Sequence, residues 1–529
     1  MRAKLTGRAG RPGIRPFVPV TALAAITLLA TGCSSSSSPA PTSTAFHGAA
    51  VSAGSWPYPN GDLANTRVAP DSVISAANVS GLREAWAFKL TGLNLPTAIA
   101  SVGALTAPPV VQHGVVYLQD QDSNVYALSL ATGKLKWDYL PGVPQTSGPG
   151  PDGVAVADGA VYGDTPTTVF ALNAATGKTM WVDSSLLNSG QGAFEIQPQV
   201  TGGRVYLASA YGSGSGGGLL MALNASTGAL LWKFSTVIGA RPGVQTLGVG
   251  SGGAWEPPLV GTDGSVTFGI GNPYQSIGEA AAHPSRQLYT DSAVNLDAAT
   301  GKLRWYYQAV PNDFVDHDLQ SSPIATTIGG VPAIIASGKV GIVYALNAQT
   351  GAPLWKTPVG EHNGHDNDSL LLLEHQLTIK YPYTIAPGPL GGILSNMAVA
   401  DGSVYVATND VAVTYTGPSG VLGNKTSGGQ SGEIEALNLA TGKVEWDTKV
   451  STLPLGAATV SNDLVFTTLY NGTLLALNRA TGAIVYQLKL PTSTNAPLAV
   501  FGNTILVPAG GPKTATGGGN PQLVAYTVP

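Results

Sequence analysis

The chain has a single cysteine, Cys33. Without a second thiol it can form no internal disulfide, no thiolate-based metal centre and no covalently attached c-type haem. Charge is scarce as well: Asp, Glu, Lys and Arg make up 11% of the 529 residues, and the formal net charge is −4. No basic patch stands out, which excludes a nucleic-acid-binding class. The apolar run from Phe17 to Ala30 is too short to span a bilayer. No phosphate-cradling glycine loop and no nucleophile elbow is present.

Glycine (68) and proline (38) are abundant instead, a composition suited to short strands and tight turns. At the N-terminus, Arg2, Lys4, Arg8, Arg11 and Arg15 precede the apolar run, and Leu29-Ala30-Thr31-Gly32-Cys33 has the form of a bacterial lipobox. The reading is a lipoprotein signal peptide over residues 1–32 and an acylated Cys33. A disordered Ser/Pro-rich tether over 33–54 and a single folded domain over 55–529 follow. The protein is then exported and lipid-anchored to the cell envelope on the extracytoplasmic side, with a mildly acidic body.

A repeat dominates the folded part. VYALSLATGKLKW (125–137), VFALNAATGKTMW (169–181), LMALNASTGALLW (220–232), AVNLDAATGKLRW (293–305), VYALNAQTGAPLW (343–355), IEALNLATGKVEW (434–446) and LLALNRATGAIVY (474–486) are copies of one strand–turn–strand unit. Alternating apolar residues make the strands. Asn or Asp, Thr and Gly make the turn, and the closing Trp or Tyr packs against a neighbour. One hairpin cannot bury its own face, so spaced copies predict a propeller of four-stranded blades. Seven copies are visible. An eighth blade assembles from GLREAWAFKL (81–90) and the C-terminal segments 503–511 and 521–529. The expected fold is therefore an all-β, eight-bladed propeller, with seven blades as the alternative.

Several residues are candidates for chemistry. Asp297 is the sole Asp at a turn position filled elsewhere by Ser129, Asn173, Asn224, Asn347, Asn438 and Asn478. Its reading is open between turn chemistry and catalysis. Asn272, before Pro273, initiates a turn or binds a ligand. Trp255 is a packed aromatic or a stacking platform. Lys339 is a solvated side chain or a ligand contact. The run Asp313, Asp316, His317, Asp318 is read as structural hydrogen bonding. His362, His365, Asp366 and Asp368 have metal-ligating types but match no strong spacing.

From Trp56 onward the chain resembles the pyrroloquinoline quinone (PQQ) propellers, in particular the quinoprotein alcohol dehydrogenases. The resemblance rests on Asn65-Thr66-Arg67, Asn78-Val79, Leu82 and Trp86 in the opening segment, on the repeat, and on Gly271-Asn272-Pro273, LYT (288–290), LDAATGK (296–302) and the aromatic-and-acid run from Trp305 to Asp316. It implies Asp297 as catalytic base and calcium ligand, Asn272 as a ligand of the cofactor-associated Ca2+, Trp255 beneath the quinone ring, and Lys339 on the quinone oxygens. A small alcohol-type substrate and a separate electron acceptor would follow. The chain also departs from the family. Ser213 stands where a calcium-binding Glu is expected, Gly217 where an anchoring Arg is expected, and an adjacent cysteine pair is missing. Ala299, two residues after Asp297, argues against a rare-earth form. The competing expectation is a non-catalytic lipoprotein, similar to the outer-membrane assembly scaffold, that holds a protein partner with its rim loops.

Overall fold

The structure is a computed structural model that describes residues 54–91, 93, 103–144, 153–210, 217–237, 252–419, 425–511 and 520–529. The signal-peptide reading, Cys33, all of the tether but its last residue, and Ser213 lie outside the described residues.

Eight antiparallel sheets, each with a four-stranded core, form the blades: 110–139, 155–183, 199–235, 259–308, 324–358, 398–450, 459–489, and an eighth built from both ends of the chain. In that last sheet the strand Arg83–Lys89 lies outermost against Gln522–Thr527, with Arg83 opposite Thr527 and Lys89 opposite Gln522. Joining the two ends completes an eighth four-stranded blade, so the eight-bladed expectation holds and the seven-bladed one does not. First strands of most successive blades touch around the axis.

The repeat works as local chemistry. In each turn the Asn or Asp oxygen accepts from the backbone N–H and hydroxyl of the Thr three residues on, as Asn173 does from Thr176 (3.0 Å each) and Asn347 from Thr350 (3.0 and 3.1 Å). The outer-strand Trp then donates its indole N–H to a carbonyl just past that residue in the next blade: Trp232 to Ala298 at 3.1 Å, Trp305 to Ala348 at 2.8 Å. Its ring lies on the next turn's glycine. At Gly301 (φ +68) a Cβ would sit 2.6 Å from the Trp232 ring, so glycine is required both for the backbone angle and for the indole. Trp86, Trp137, Trp181, Trp355 and Trp446 dock in the same way, which accounts for seven of the nine tryptophans.

Trp56 belongs to a strap that laces the inner strands. Trp56 pairs with Val111 in the first blade. Ala64 accepts from Ala325 in the fifth, Thr66 from Val399 in the sixth, and Val68 bridges Val460 in the seventh. Arg67 of this strap is fully buried. Its guanidinium donates to Ala458 O (2.9 Å), Asn60 Oδ1 (2.9 Å), Thr459 Oγ1 (2.8 Å) and Leu498 O (2.8 Å), and lies 5.6 Å from the Trp56 ring centroid. Four of its five N–H donors have a protein acceptor, which makes its burial tolerable.

Up-and-down strands put the loops at two ends. Second-to-third-strand loops and inter-blade loops share one end. First-to-second and third-to-fourth-strand turns share the other. This parity positions the site.

Candidate functional site

Inter-blade loops carry Trp255 and Asp316 to Asp318; second-to-third-strand loops carry Asn272 and Lys339. These four segments therefore meet at one end of the axis. Asp297 closes the third strand of its blade, Ser292–Asp297, and enters a third-to-fourth-strand turn at the opposite end. Five residue steps of strand separate it from that blade's upper loop, roughly 17 Å. Its carboxylate accepts from Thr300 N (2.9 Å) and Thr300 Oγ1 (2.7 Å), as the Asn residues of the other turns do, and pairs with exposed Arg304 at 3.3 Å. The assignment of Asp297 as catalytic base and metal ligand is thus corrected: it is a turn residue. The inference from Ala299 falls with it.

The other three expected residues do converge. Backbone hydrogen bonds stitch their loops together: Gly252 N to Asn272 O (2.8 Å), Gly271 N to Gly253 O (2.8 Å), Leu319 N to Ile270 O (3.2 Å) and Lys339 N to Asp318 O (3.0 Å). Gly271 is squeezed between the Trp255 ring and Asp318. A Cβ there would lie 2.7 Å from one and 2.8 Å from the other.

Asp316 and Asp318, read from sequence as structural, are at the centre. Lys339 Nζ lies 2.8 Å from Asp316 Oδ2 and 2.6 Å from Asp318 Oδ2. The Asn272 amide nitrogen donates to Asp316 Oδ1, and Asn272 N donates to Asp318 Oδ1 at 2.7 Å. Asp313 does fill the structural role expected of it. It accepts from the N–H groups of Val315, Asp316 and His317 at 2.8–3.0 Å and so shapes the turn that presents the next two acids. His317 is also structural, with Nε2 2.9 Å from Pro387 O. The sequence signal for the pair was the Asp-x-x-Asp-x-Asp spacing, in which the first acid folds the loop that presents the other two.

The electrostatics are unbalanced. Burial, then repulsion from Asp313 and Asp318, pushes the Asp291 carboxyl well above the usual carboxylate range. Burial also raises Asp316 and Asp318, with Lys339 opposing in both cases. Burial alone would pull the Lys339 ammonium down, but the two carboxylates outweigh it and hold Lys339 well above its ordinary value. One cation is shared between two carboxylates, with a third buried acid nearby. Asn272 Oδ1, also buried, has no hydrogen-bond partner. An uncompensated acceptor beside excess carboxylate is what an oxygen-ligated hard cation would satisfy.

Beside this cluster lies an axial cavity of about 330 Å³, with Trp255, Tyr274, Lys339, Gln197, Gln320 and Glu256 among its lining. It offers a broad aromatic face, one ammonium and several amides. Those groups fit a flat, carboxylate-bearing quinone. The Glu256 carboxyl, 2.8 Å from Asn396 Nδ2, is pushed up to about 7 by burial, against the amide hydrogen bond and Arg67.

A cap covers the Asp316 loop. The helix Ile277–Ala282, the helix Asp368–Leu373 and the strand Tyr383–Ile385 pack with Phe314, Val315, Val413 and Tyr415. The histidines of this region do not form a metal site. His362 Nδ1 pairs with Asp366 (2.6 Å) and its Nε2 faces the Gly341 and Val359 carbonyls, while His365 pairs with Asp368 (2.7 Å).

Comparison with known proteins agrees with the fold. Residues 56–156 and 197–363 match the family model described as glucose/ethanol/alcohol dehydrogenase, β-propeller domain, and residues 339–527 match that of outer membrane protein assembly factor BamB. Quinoprotein alcohol dehydrogenase PedH of Pseudomonas putida is 26% identical over 485 residues, 80% of each chain. The crystal structure of quinohemoprotein alcohol dehydrogenase from Comamonas testosteroni superposes with a TM-score of 0.75 at 22% identity, covering 90% of this chain and 80% of that one. A europium-containing methanol dehydrogenase gives 0.72 at 19%, covering 90% and 98%. At these identities the superpositions speak to the fold.

Proposed function

The chain belongs to the PQQ β-propeller family of glucose, ethanol and alcohol dehydrogenases, and on that premise we propose that it binds PQQ with a hard cation in the axial site and oxidises an alcohol-type substrate. The observation that carries this reading is the convergence of Asn272, Asp316 and Asp318 on Lys339, which with Trp255 lines the adjoining cavity.

Trp255 would support the quinone plane, and Lys339 would face its oxygens and hold negative charge there. Asn272, Asp316 and Asp318 would hold the cation. When bound, the quinone supplies a two-electron acceptor. Asp316 is the residue placed to take the hydroxyl proton. It is buried, burial raises its carboxyl well above the usual carboxylate range against Lys339, and Lys339 and Asn272 fix its orientation. Counted from Asp316 rather than Asp297, the position two residues on is an acid, Asp318. The excess of carboxylate suits a trivalent rare-earth ion as well as Ca2+, since each added negative oxygen favours higher cation charge.

Electrons would leave to a separate acceptor, because Cys33 cannot by itself attach a haem. Export and lipid attachment through Cys33 complete the proposal. Intact-mass analysis of the cell-associated protein, with Cys33→Ala released to the medium, tests that part.

The central test is titration of purified protein with PQQ plus Ca2+ or La3+, read by tryptophan fluorescence and by dye-linked oxidation of short primary alcohols. The expected result is saturable binding near one quinone per chain, dependent on the cation. A folded protein that binds no quinone with either cation would refute the reading and favour the scaffold alternative, which the BamB match over residues 339–527 supports.

A further inference from the structure

The loop in which the family resemblance looks for a calcium-binding Glu has Ser213 instead, which leaves the third blade without an acid at that place. The same blade brings another. Ala193 and Phe194 pair with Ala210 and Ser209, so the segment that follows runs beside the strand that leads into the Ser213 loop. Ala210 in turn packs on Gly253, two residues before Trp255, which lines the axial cavity; a Cβ at Gly253 would lie 2.7 Å from Ala210 Cα.

Along Phe194-Glu195-Ile196-Gln197 the side chains alternate. Phe194 and Ile196 belong to the hydrophobic core of the second to fourth blades. Gln197, on the other face, lines the axial cavity. Glu195 shares the Gln197 side of the segment and is fully buried. We propose that Glu195 supplies the third-blade carboxylate of the cation site, joining Asn272, Asp316 and Asp318, so that the site is completed from the inter-blade loop rather than from the loop bearing Ser213. This rests on the cation-and-quinone reading given above.

An acceptor for the same cation is already in place: Asn272 Oδ1 is buried and lacks a hydrogen-bond partner. The cation served would be hard and oxygen-ligated: Ca2+ or a trivalent rare-earth ion.

The test uses the full purified chain and Glu195→Gln, which keeps size and hydrogen-bonding reach. Ca2+ and Tb3+ are titrated by calorimetry and by sensitised terbium luminescence, with and without PQQ, and thermal unfolding is recorded with and without metal. The expected result is a loss of at least tenfold in cation affinity and of most of the metal-induced rise in Tm. The metal-free variant should unfold no earlier than the metal-free parent, because a buried charge has been removed. Equal affinity in parent and variant would overturn the role of Glu195 and leave the proposed function standing. A parent that binds neither ion would overturn both. A variant destabilised without metal, yet binding metal normally, would assign Glu195 to packing instead.

Discussion

Replacing Asp297 by Asn separates the two readings of this propeller most sharply. The amide oxygen keeps the acceptor for Thr300 N and Thr300 Oγ1, now at 2.9 and 2.7 Å. What is lost is the 3.3 Å pair with Arg304, whose partners are each about one-third exposed (32% and 33%). Arg304 retains Asp263 at 3.1 Å. An exposed pair of this kind is worth about 0.5 kcal/mol. The Thr300 hydroxyl, and then Arg304, hold the Asp297 carboxyl below the usual carboxylate range. That contribution is present above the unfolded-state pKa and fades as pH falls through the folded one, so the variant loses it at neutral pH and not in acid. Screening keeps it within the same few tenths. Asp297→Asn should therefore shift the urea midpoint at pH 7 only slightly and leave quinone binding and alcohol oxidation unchanged. Asp316→Asn should lower turnover by about 10²–10⁴, the usual worth of a positioned general base. The assays are urea unfolding, quinone titration and dye-linked oxidation of the same preparations. A natively stable Asp297→Asn protein with turnover reduced more than tenfold would refute the placement of the site, as would full activity in Asp316→Asn.

Gly301→Ala should destabilise by about 3 kcal/mol in urea unfolding, because the new Cβ meets the Trp232 ring while the backbone stays at positive φ. Gly329→Ala tests the backbone term alone, since it shares a positive φ (+56) with nothing near its Cβ, and should cost about 1 kcal/mol. Glu256, raised to about 7 by burial, binds its proton more tightly in the folded state. Stability should therefore fall as pH rises from about 4.5 to 7, by about 3 kcal/mol from this one group. The urea midpoint of Glu256→Gln should be correspondingly less sensitive between pH 5 and 8 than that of the parent.

The blades were legible because their signal is local. Asn-x-x-Thr-Gly closes its own turn, and the Trp that follows needs only the next copy of that turn, so each repeat announces both itself and its neighbour. The eighth blade was legible because its strands were left over at both ends. Asn272, Trp255 and Lys339 were found through resemblance, and they converge. Asp297 misled because being the one Asp among Asn residues is a difference in residue type, not in place. The parity of a four-stranded blade puts its turn at the end away from Asn272. Asp316 and Asp318 were visible but looked like the Asp313 turn that presents them. Glu195 carried no motif. Its proposed place is argued from the alternation of Phe194 and Ile196 into the core and from the packing of Ala210 on Gly253.

The balance of buried charge bears on whether the site has a use. A ring that only docks partners needs Trp–Gly contacts and an axial strap, and the strap shows how this chain buries a charge for structure alone: Arg67 has four protein acceptors. The acids of the site are treated differently. Asp316 and Asp318 share a single Lys339 while Asp291 is buried near them, all three carboxyls are pushed upward, and the Asn272 oxygen is left without a donor. Burying charge without full compensation costs several kcal/mol and contributes nothing to packing. The cost is offset once a cation sits among those oxygens, since ligand binding to the folded state alone stabilises it in proportion to RT ln(1 + [L]/Kd). If the proposed cation binds there, the metal-free fold is the less stable form, and adding Ca2+ or a rare-earth ion should raise Tm.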